Sequence, residues 1–483
     1  MLKVLHLINY PGQGGSEKYI LSLTKGLKEK CSFYLVHSLD GRLVEEMRSL
    51  NLPVVKLPMR GFWDLAAAWK LRAFCRKHSI QVVHTHFLRE NCIAVLAKLF
   101  GANVRVVHTR HMLLDNSLPV KLFNRILALF VHQYIAVSKA VKEQMLQEGI
   151  PAGKVSLIYN GVEVAVLSQF SSIPGGSGIQ GEWDVQEIQD VQCKSELPRG
   201  TGVPDRSWIS GESSIPGEPG VPGRPNVPDK PDVSGIPGKS GVPGKPGVSA
   251  LVDVLGENSF VVSCAARFSA EKGYDFLLDV IKLFNELYFA KPDKEEEFEK
   301  EGFNKKEVNK NKKDEVNKQE VNKEVNKEEA NINEKVNKKT VTFLLIGDGP
   351  FLASMQLKAK EYNLPNVYFL GYRQDVTELL KISNLYVCPS QMEALGISVL
   401  EALAQGLPVI ATNVGGLPEI LQGSGAGLLV EYGDTEAFAQ ALLKLIYDAD
   451  FYRTCQANAI RTVQKRFLLS NMAEKTYCVY TDF

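Results

Sequence analysis

The chain lacks an apolar run long enough to cross a membrane, lacks paired-cysteine spacing and lacks excess charge of either sign, and each absence removes a class of function. The longest uncharged apolar stretch, 126–137, is interrupted by His132 and Gln133 and falls short of the roughly 18 residues that a span needs. The opening run from Met1 stops at Asn9 and Pro11, too short for the core of a secretory signal. Cys31, Cys75, Cys92, Cys193, Cys264, Cys388, Cys455 and Cys478 contain no C-x-x-C, which excludes a zinc framework and a disulfide scaffold and fits a reducing compartment. Lysine plus arginine (56) nearly cancels aspartate plus glutamate (55), so no global charge attracts nucleic acid. We expect a cytoplasmic protein, soluble or peripheral on the inner face of the membrane, with no nucleic-acid partner.

What is present is a chain of 483 residues, 45% hydrophobic, enough for two to four domains. From 1 to 163 short β-branched apolar runs alternate with amphipathic stretches, the pattern of β-α-β crossovers on a parallel sheet. The predicted strands are 4–8, 33–37, 54–57, 81–84, 104–107, 134–137 and 155–158. The same rhythm resumes at Phe260, with strands at 260–265, 341–346, 367–370, 385–388, 409–411 and 427–430. The fold class is therefore α/β, two Rossmann-like parallel-sheet domains facing each other across a cleft.

Two segments break that rhythm. Residues 164–255 are rich in glycine and proline, and between Gly217 and Gly247 glycine recurs at every third position except at Asn226, Asp229 and Asp232. A triple helix tolerates no such gaps, so a disordered insert at the interdomain junction is expected over a collagen-like trimeric surface protein. Residues 291–339 repeat Val-Asn-Lys from 308, 316, 321, 325 and 336 amid Glu and Lys, a second disordered insert. The expected domains are 1–163, and 256–290 with 340–483.

Three motifs carry chemistry. Gly12-Gln-Gly14-Gly15-Ser-Glu17 follows the first strand, where glycines admit a ligand to the backbone and a helix N-terminus favours an anion. Glu17 stands where a dinucleotide fingerprint needs its third glycine, which demotes hydride chemistry. Arg267 and Lys272-Gly273 follow a buried strand at the carboxyl edge of the second sheet, placed to neutralise a leaving diphosphate. Glu393 and Glu401 flank Gly396, which frees the N–H groups of Ile397, Ser398 and Val399 for phosphate or sugar hydroxyls.

In this order these elements, with Asn160-Gly161-Val162 and the Gly14-Gly15 loop, resemble the family-4 retaining glycosyltransferases of the GT-B fold. The resemblance implies that Arg267 and Lys272 bind the donor diphosphate, that Glu401 binds the nucleotide ribose, and that Glu393 with the backbone of Gly396, Ile397, Ser398 and Val399 holds the transferred sugar. Gly14 and Gly15 would approach the phosphate from the other lobe. Leu395 departs from the Phe that many members carry there, which bears on pocket shape. The family often has a histidine at the His111 position, so His111 and Glu393 are the expected catalytic pair. The implied reaction moves a hexose-type sugar from a nucleotide-sugar donor to a glycan or lipid-linked acceptor, in an envelope or exported polysaccharide pathway.

No metal and no cofactor are expected. His84 and His86 share one face of a strand end, but with no third ligand recognisable they make no metal site, and the D-x-D at Asp448 and Asp450 falls in a late helix. Arg60 to His78 and Ser117 to His132 mix basic and apolar residues at helical spacing, which suits peripheral contact with an anionic membrane and equally suits core-facing helices. The enzymatic alternatives are a nucleotide-sugar epimerase or a phosphorylase on a related fold.

Overall fold

The computed structural model describes residues 1–12, 14–164, 247–256, 259–289 and 339–482. The collagen-like repeat up to 246 and the whole Val-Asn-Lys repeat lie outside the described residues, as do the disorder expectations for them.

Thirteen strands form two sheets among these residues. The first sheet holds β1 (Leu2–Ile8), β2 (Cys31–His37), β3 (Val54–Lys56), β4 (Val82–Thr85), β5 (Arg105–Arg110), β6 (Gln133–Ala136) and β7 (Val155–Leu157). The second holds β8 (Ser259–Ala265), β9 (Thr340–Ile346), β10 (Val367–Gly371), β11 (Leu385–Cys388), β12 (Val409–Thr412) and β13 (Gly427–Val430). Every expected strand is present within a few residues of its expected bounds. The orders are β3-β2-β1-β4-β5-β6-β7 and β10-β9-β8-β11-β12-β13, with parallel pairing throughout. Each order reverses once, between β1 and β4 and between β8 and β11, and a crevice opens at the carboxyl ends beside such a reversal.

The period of two along a strand divides the first core. Leu5, Leu7 and Val83 face the helices Leu65–His78 and Leu88–Leu99, whereas Val4, Ile8, Val82 and Val107 face the helix Gly15–Gly26. Tyr19, Ile20 and Leu23 of that helix are fully buried, each such side chain adding about 1.5–3 kcal/mol. His6, His84 and Thr109 have the same parity as Val4, Val82 and Val107, so this core face also carries polar rings.

Two expected boundaries are corrected. Val248–Leu255, placed by sequence in the first insert, is a helix whose Leu251 packs among Val261, Leu344, Ile346 and Leu379 of the second domain. Its spacing of Val248, Leu251, Val252 and Leu255 gives one apolar stripe, which outweighs the glycine and proline before it. The last helix, Leu469–Thr481, expected within the second domain, lies on the first: Met472, Ala473 and Tyr480 complete the core of Val4, Tyr19 and Leu23. A Cβ on Gly26 would stand 3.0 Å from that of Ala473, so the glycine lets the two helices close. The two passages between domains run side by side. Val162 N–H donates to Phe467 O (2.9 Å) and Leu469 N–H donates to Val162 O (3.0 Å). A Cβ on Gly161 would lie 2.5 Å from the Leu468 carbonyl oxygen, which accounts for glycine in Asn160-Gly161-Val162.

Candidate functional site

The helix Gly15–Gly26 begins on a loop braced by its own Glu17. That carboxylate accepts from the N–H groups of Gly12 (3.0 Å) and Gly14 (2.9 Å) and from Ser16 Oγ (2.7 Å). Glutamate at the third glycine position is thus the brace of this loop. A Cβ on Gly15 would sit 3.2 Å from Ile397 Cδ1, so the glycine loop of the first domain meets the start of the helix Ile397–Ala404 of the second.

That helix starts at Gly396, whose φ of +99° is open to glycine at little strain, and its first-turn N–H groups have no partner one turn back. Gly415, at φ +54°, passes so close to Glu393 that a Cβ would lie 1.8 Å from its carbonyl oxygen, with Leu113 Cδ1 at 3.1 Å on the other side. Gly416 N–H donates to the same Glu393 carbonyl (3.0 Å). The loop after β5, which carries His111, therefore lies beside the Glu393 loop.

Lys272 Nζ is 2.6 Å from Glu393 Oε2, with both side chains mostly buried. Burial alone would lower the Lys272 pKa, but the Glu393 carboxylate overrides it and holds the ammonium above its ordinary value. The pair is fixed by its backbones, since the Glu271 carbonyl accepts from Gln391 N–H (2.9 Å) and Met392 N–H (3.3 Å). Gly273, at φ +68°, leaves no room for a Cβ against the Pro389 carbonyl. Arg267 is different: it is largely exposed and, among the described residues, its guanidinium meets Glu271, at 3.0 Å.

Glu401 receives Lys18 Nζ on both carboxylate oxygens, at 2.6 and 2.8 Å, an ion pair that spans the domains. Lys18 was not foreseen, although a cation one turn after Gly14-Gly15 was a usable signal. Glu419 makes a second bridge, accepting from Lys139 N–H (2.8 Å), Ala140 N–H (3.0 Å) and Tyr159 OH (2.9 Å). Its carboxylate thus satisfies the N-terminus of the helix Lys139–Gln147 from the opposite domain. The structure brings Gly14, Gly15, Ile397 and Glu401 to one junction and joins Lys272 to Glu393, leaving Arg267 at the rim.

His6, His84, His86 and His111 lie on one face of the first sheet. His6 Nδ1 is 3.1 Å from His86 Nε2, and His86 Nδ1 is 3.0 Å from His111 Nε2. His84 is held by Tyr480 OH (2.6 Å) and Thr109 Oγ1 (2.7 Å). Burial pushes His6 and His111 down to about 3 and His84, His86 and His108 well below their ordinary value. His6 is the third histidine that sequence reading missed: the ring nitrogens of His6, His84 and His86 offer one atom each within 4.8 Å of one another. Both nitrogens of His84 are nevertheless engaged by hydroxyls, so a metal would have to displace one of them. Beside His111, the Arg110 guanidinium meets Glu148 at 2.7 Å, nearly out of solvent, and Asn116 and Asn124 donate to the same carboxylate. Of the late acid pair, Asp448 caps the helix Ala449–Arg466 and Asp450 meets Arg453, so both serve that helix.

Residues 13–166 match the family profile described as Glycosyltransferase Family 4, and residues 293–462 match Glycosyl transferases group 1, together about two thirds of the chain. The chain is 35% identical over 148 residues to N-acetyl-alpha-D-glucosaminyl L-malate synthase of Bacillus anthracis, covering 30% of this chain and 39% of that one. It is 28% identical over 142 residues to the UDP-Gal:alpha-D-GlcNAc-diphosphoundecaprenol alpha-1,3-galactosyltransferase of Escherichia coli, covering 29% and 36%. These matches thus span less than two fifths of either relative. Anabaena HepE, solved with UDP and glucose, has the same fold, with a TM-score of 0.66, 17% identity and 100% of both chains covered.

Proposed function

Because this chain belongs to the family-4 glycosyltransferases, with a group 1 second half, we propose that it transfers a hexose-type sugar from a nucleotide-sugar donor to a hydroxyl acceptor, with retention at the anomeric carbon. The observation that carries this reading is the Lys272–Glu393 pair, braced by backbone beside the free N–H groups at Ile397. A preset cation next to a helix N-terminus suits a diphosphate, and a carboxylate beside it suits sugar hydroxyls.

In this reading the diphosphate sits on Lys272, on the N–H groups of Ile397, Ser398 and Val399, and on Arg267, whose exposed side chain swings in. Glu401 accepts from the ribose hydroxyls once Lys18 releases it. The hexose lies between Glu393 and His111. As the anomeric C–O bond to phosphate breaks, the new bond forms to the acceptor oxygen on the same face, and a leaving phosphate oxygen takes the acceptor's proton. Charge growing on that phosphate is met by Lys272 and the helix N-terminus, so no metal is needed. UDP is the nucleotide in the HepE complex and UDP-Gal is named for the Escherichia coli relative, which makes uridine the first base to test. Thermal melts without metal test the site: a nucleoside diphosphate at about 100 times its Kd should stabilise the fold by roughly 2.7 kcal/mol. Glu401→Ala and Arg267→Ala should each shrink that shift. A folded protein that no nucleoside diphosphate stabilises would refute the site.

The acceptor belongs at the first domain. Trp63, Leu65, Trp69, Leu118, Leu122 and Ile126 are exposed there, and Trp63 meets Phe123 at 5.1 Å, so both segments offer one apolar face. Lys70 and Arg125 are exposed on the same helices, and Arg72 lies over the Trp69 ring. Apolar rings rimmed by cations suit an anionic membrane that presents a lipid-linked envelope glycan. The protein should float with anionic vesicles at low salt and sink with neutral ones. Trp63→Ser combined with Leu122→Ser should abolish flotation, and flotation equal for both vesicle types would end the electrostatic part of this reading.

A further inference from the structure

The histidines behind the site form a chain with two free ends. His6 Nε2 and His111 Nδ1 are buried and have no hydrogen-bond partner among the described residues. Between them run only the contacts His6 Nδ1 to His86 Nε2 and His86 Nδ1 to His111 Nε2. Desolvation keeps all three rings neutral at ordinary pH.

A neutral imidazole carries one N–H and one bare nitrogen. Three such rings joined by two contacts therefore admit two proton arrangements, each the reverse of the other. In the first, every ring is the Nδ1–H tautomer, His6 keeps a bare Nε2, and His111 turns its Nδ1–H outward as a donor. In the second, every ring is Nε2–H, His6 buries an N–H without an acceptor, and His111 offers only a lone pair. His6 stacks on the Phe33 ring at 5.4 Å. Either arrangement leaves one N–H without a partner among the described residues, at His111 in the first and at His6 in the second. His6 is fully buried whereas His111 is only part-buried, so an acceptor from outside the fold can reach the His111 N–H alone, which selects the first arrangement.

We propose that His6 and His86 are positioning residues that lock His111 in its Nδ1–H tautomer, so that it donates a hydrogen bond to an oxygen of the transferred sugar. The sugar-binding half of this rests on the reading given under Proposed function; the tautomer half does not. His84, tied to Tyr480 and Thr109, stands outside the chain and holds its neighbours' rings in place, with His6–His84 and His84–His86 centroids 5.2 and 4.6 Å apart. No proton needs to cross the chain during turnover, because a relayed proton would leave a buried imidazolium at His6.

The test is a two-bond proton–nitrogen spectrum of the full chain labelled with nitrogen-15 histidine, His111 being assigned by the signal lost in His111→Gln. The wild type should show His111 as Nδ1–H. In His86→Phe, which keeps a ring but no nitrogen, His111 should move toward the Nε2–H form that imidazole prefers in water. Sugar transfer should then fall about tenfold, with nucleoside diphosphate affinity unchanged, as the loss of one hydrogen bond dictates. A bare Nδ1 on His111 in the wild type, or an unchanged tautomer in His86→Phe, would overturn the proposal. So would zinc that titrates into the His6 and His86 nitrogens, since a metal takes the lone pairs on which the chain depends. If His86→Phe does not fold, the wild-type spectrum and His6→Phe decide. The tautomer is read without turnover, so its failure is separable from failure of the transfer reading.

Discussion

Lys272→Ala should reduce sugar transfer by about 10²–10³-fold, the usual effect of removing one preset charge from a developing anion. The loss acts twice on one site. In the proposed reading the leaving diphosphate loses its most buried cation, and Glu393, mostly out of solvent, keeps a carboxylate whose partner at 2.6 Å is gone. Lys272→Arg keeps the charge but spreads it over a planar fork, and should recover only part of the rate. Arg267→Ala should cost far less, about tenfold, because that side chain is exposed and, in the proposed reading, must swing in to meet the donor. The measurement is turnover at saturating donor together with donor affinity. Turnover above about a tenth of wild type in Lys272→Ala would show that the diphosphate is held elsewhere.

The first domain should unfold well before the second as pH falls below 6.5. His6 and His111 are held down to about 3 by burial, and His84, His86 and His108 well below their ordinary 6.5, also by burial. Above 6.5 these rings are neutral folded and unfolded, and stability is complete. Below 6.5 the unfolded chain binds protons that the folded chain refuses, so stability falls with pH until the folded values are reached. Each ring adds up to about 1.4 kcal/mol of loss per pH unit. Five rings acting together weigh heavily against a total stability of about 5–15 kcal/mol, so the fall with pH should be steep. Glu90 opposes them, since burial raises its carboxyl, but it is one group against five. Urea midpoints at pH 7, 6 and 5 measure the effect, and a flat series would mean that the rings are solvated.

The strands were legible in the sequence because a parallel sheet covered on both faces writes each strand as an apolar run, as in Val82-Val83 or Val409-Ile410. The places of Lys272, Glu393 and Gly396 in the fold were legible because they follow the buried strands β8 and β11 closely. The ion pairs that cross the domains were not. Lys18 and Glu401 are 383 positions apart, and nothing local marks one exposed charge as the partner of another. Glu419 reads as an ordinary first-turn acid of its own short helix, yet its carboxylate serves a helix in the other domain. His6 was readable in principle, since it falls in register with His84 across β1 and β4, but register is known only once the strands are paired. The final helix announces an apolar stripe in its spacing without announcing which domain it covers.

That helix sets an order of events on the ribosome. Tyr480 and Met472 close a core whose other members, Val4, Tyr19 and Leu23, emerge hundreds of residues earlier. While the second domain is being translated, the face of the first sheet that carries the histidines has the helix Gly15–Gly26 but lacks the cover of Met472, Ala473 and Tyr480. A nascent first domain thus waits, half covered, for its last piece, and loops of that length form contacts slowly. Such a chain presents an apolar, aggregation-prone surface throughout elongation. Expressed alone, residues 1–164 should be insoluble where the same segment co-expressed with the last helix is not.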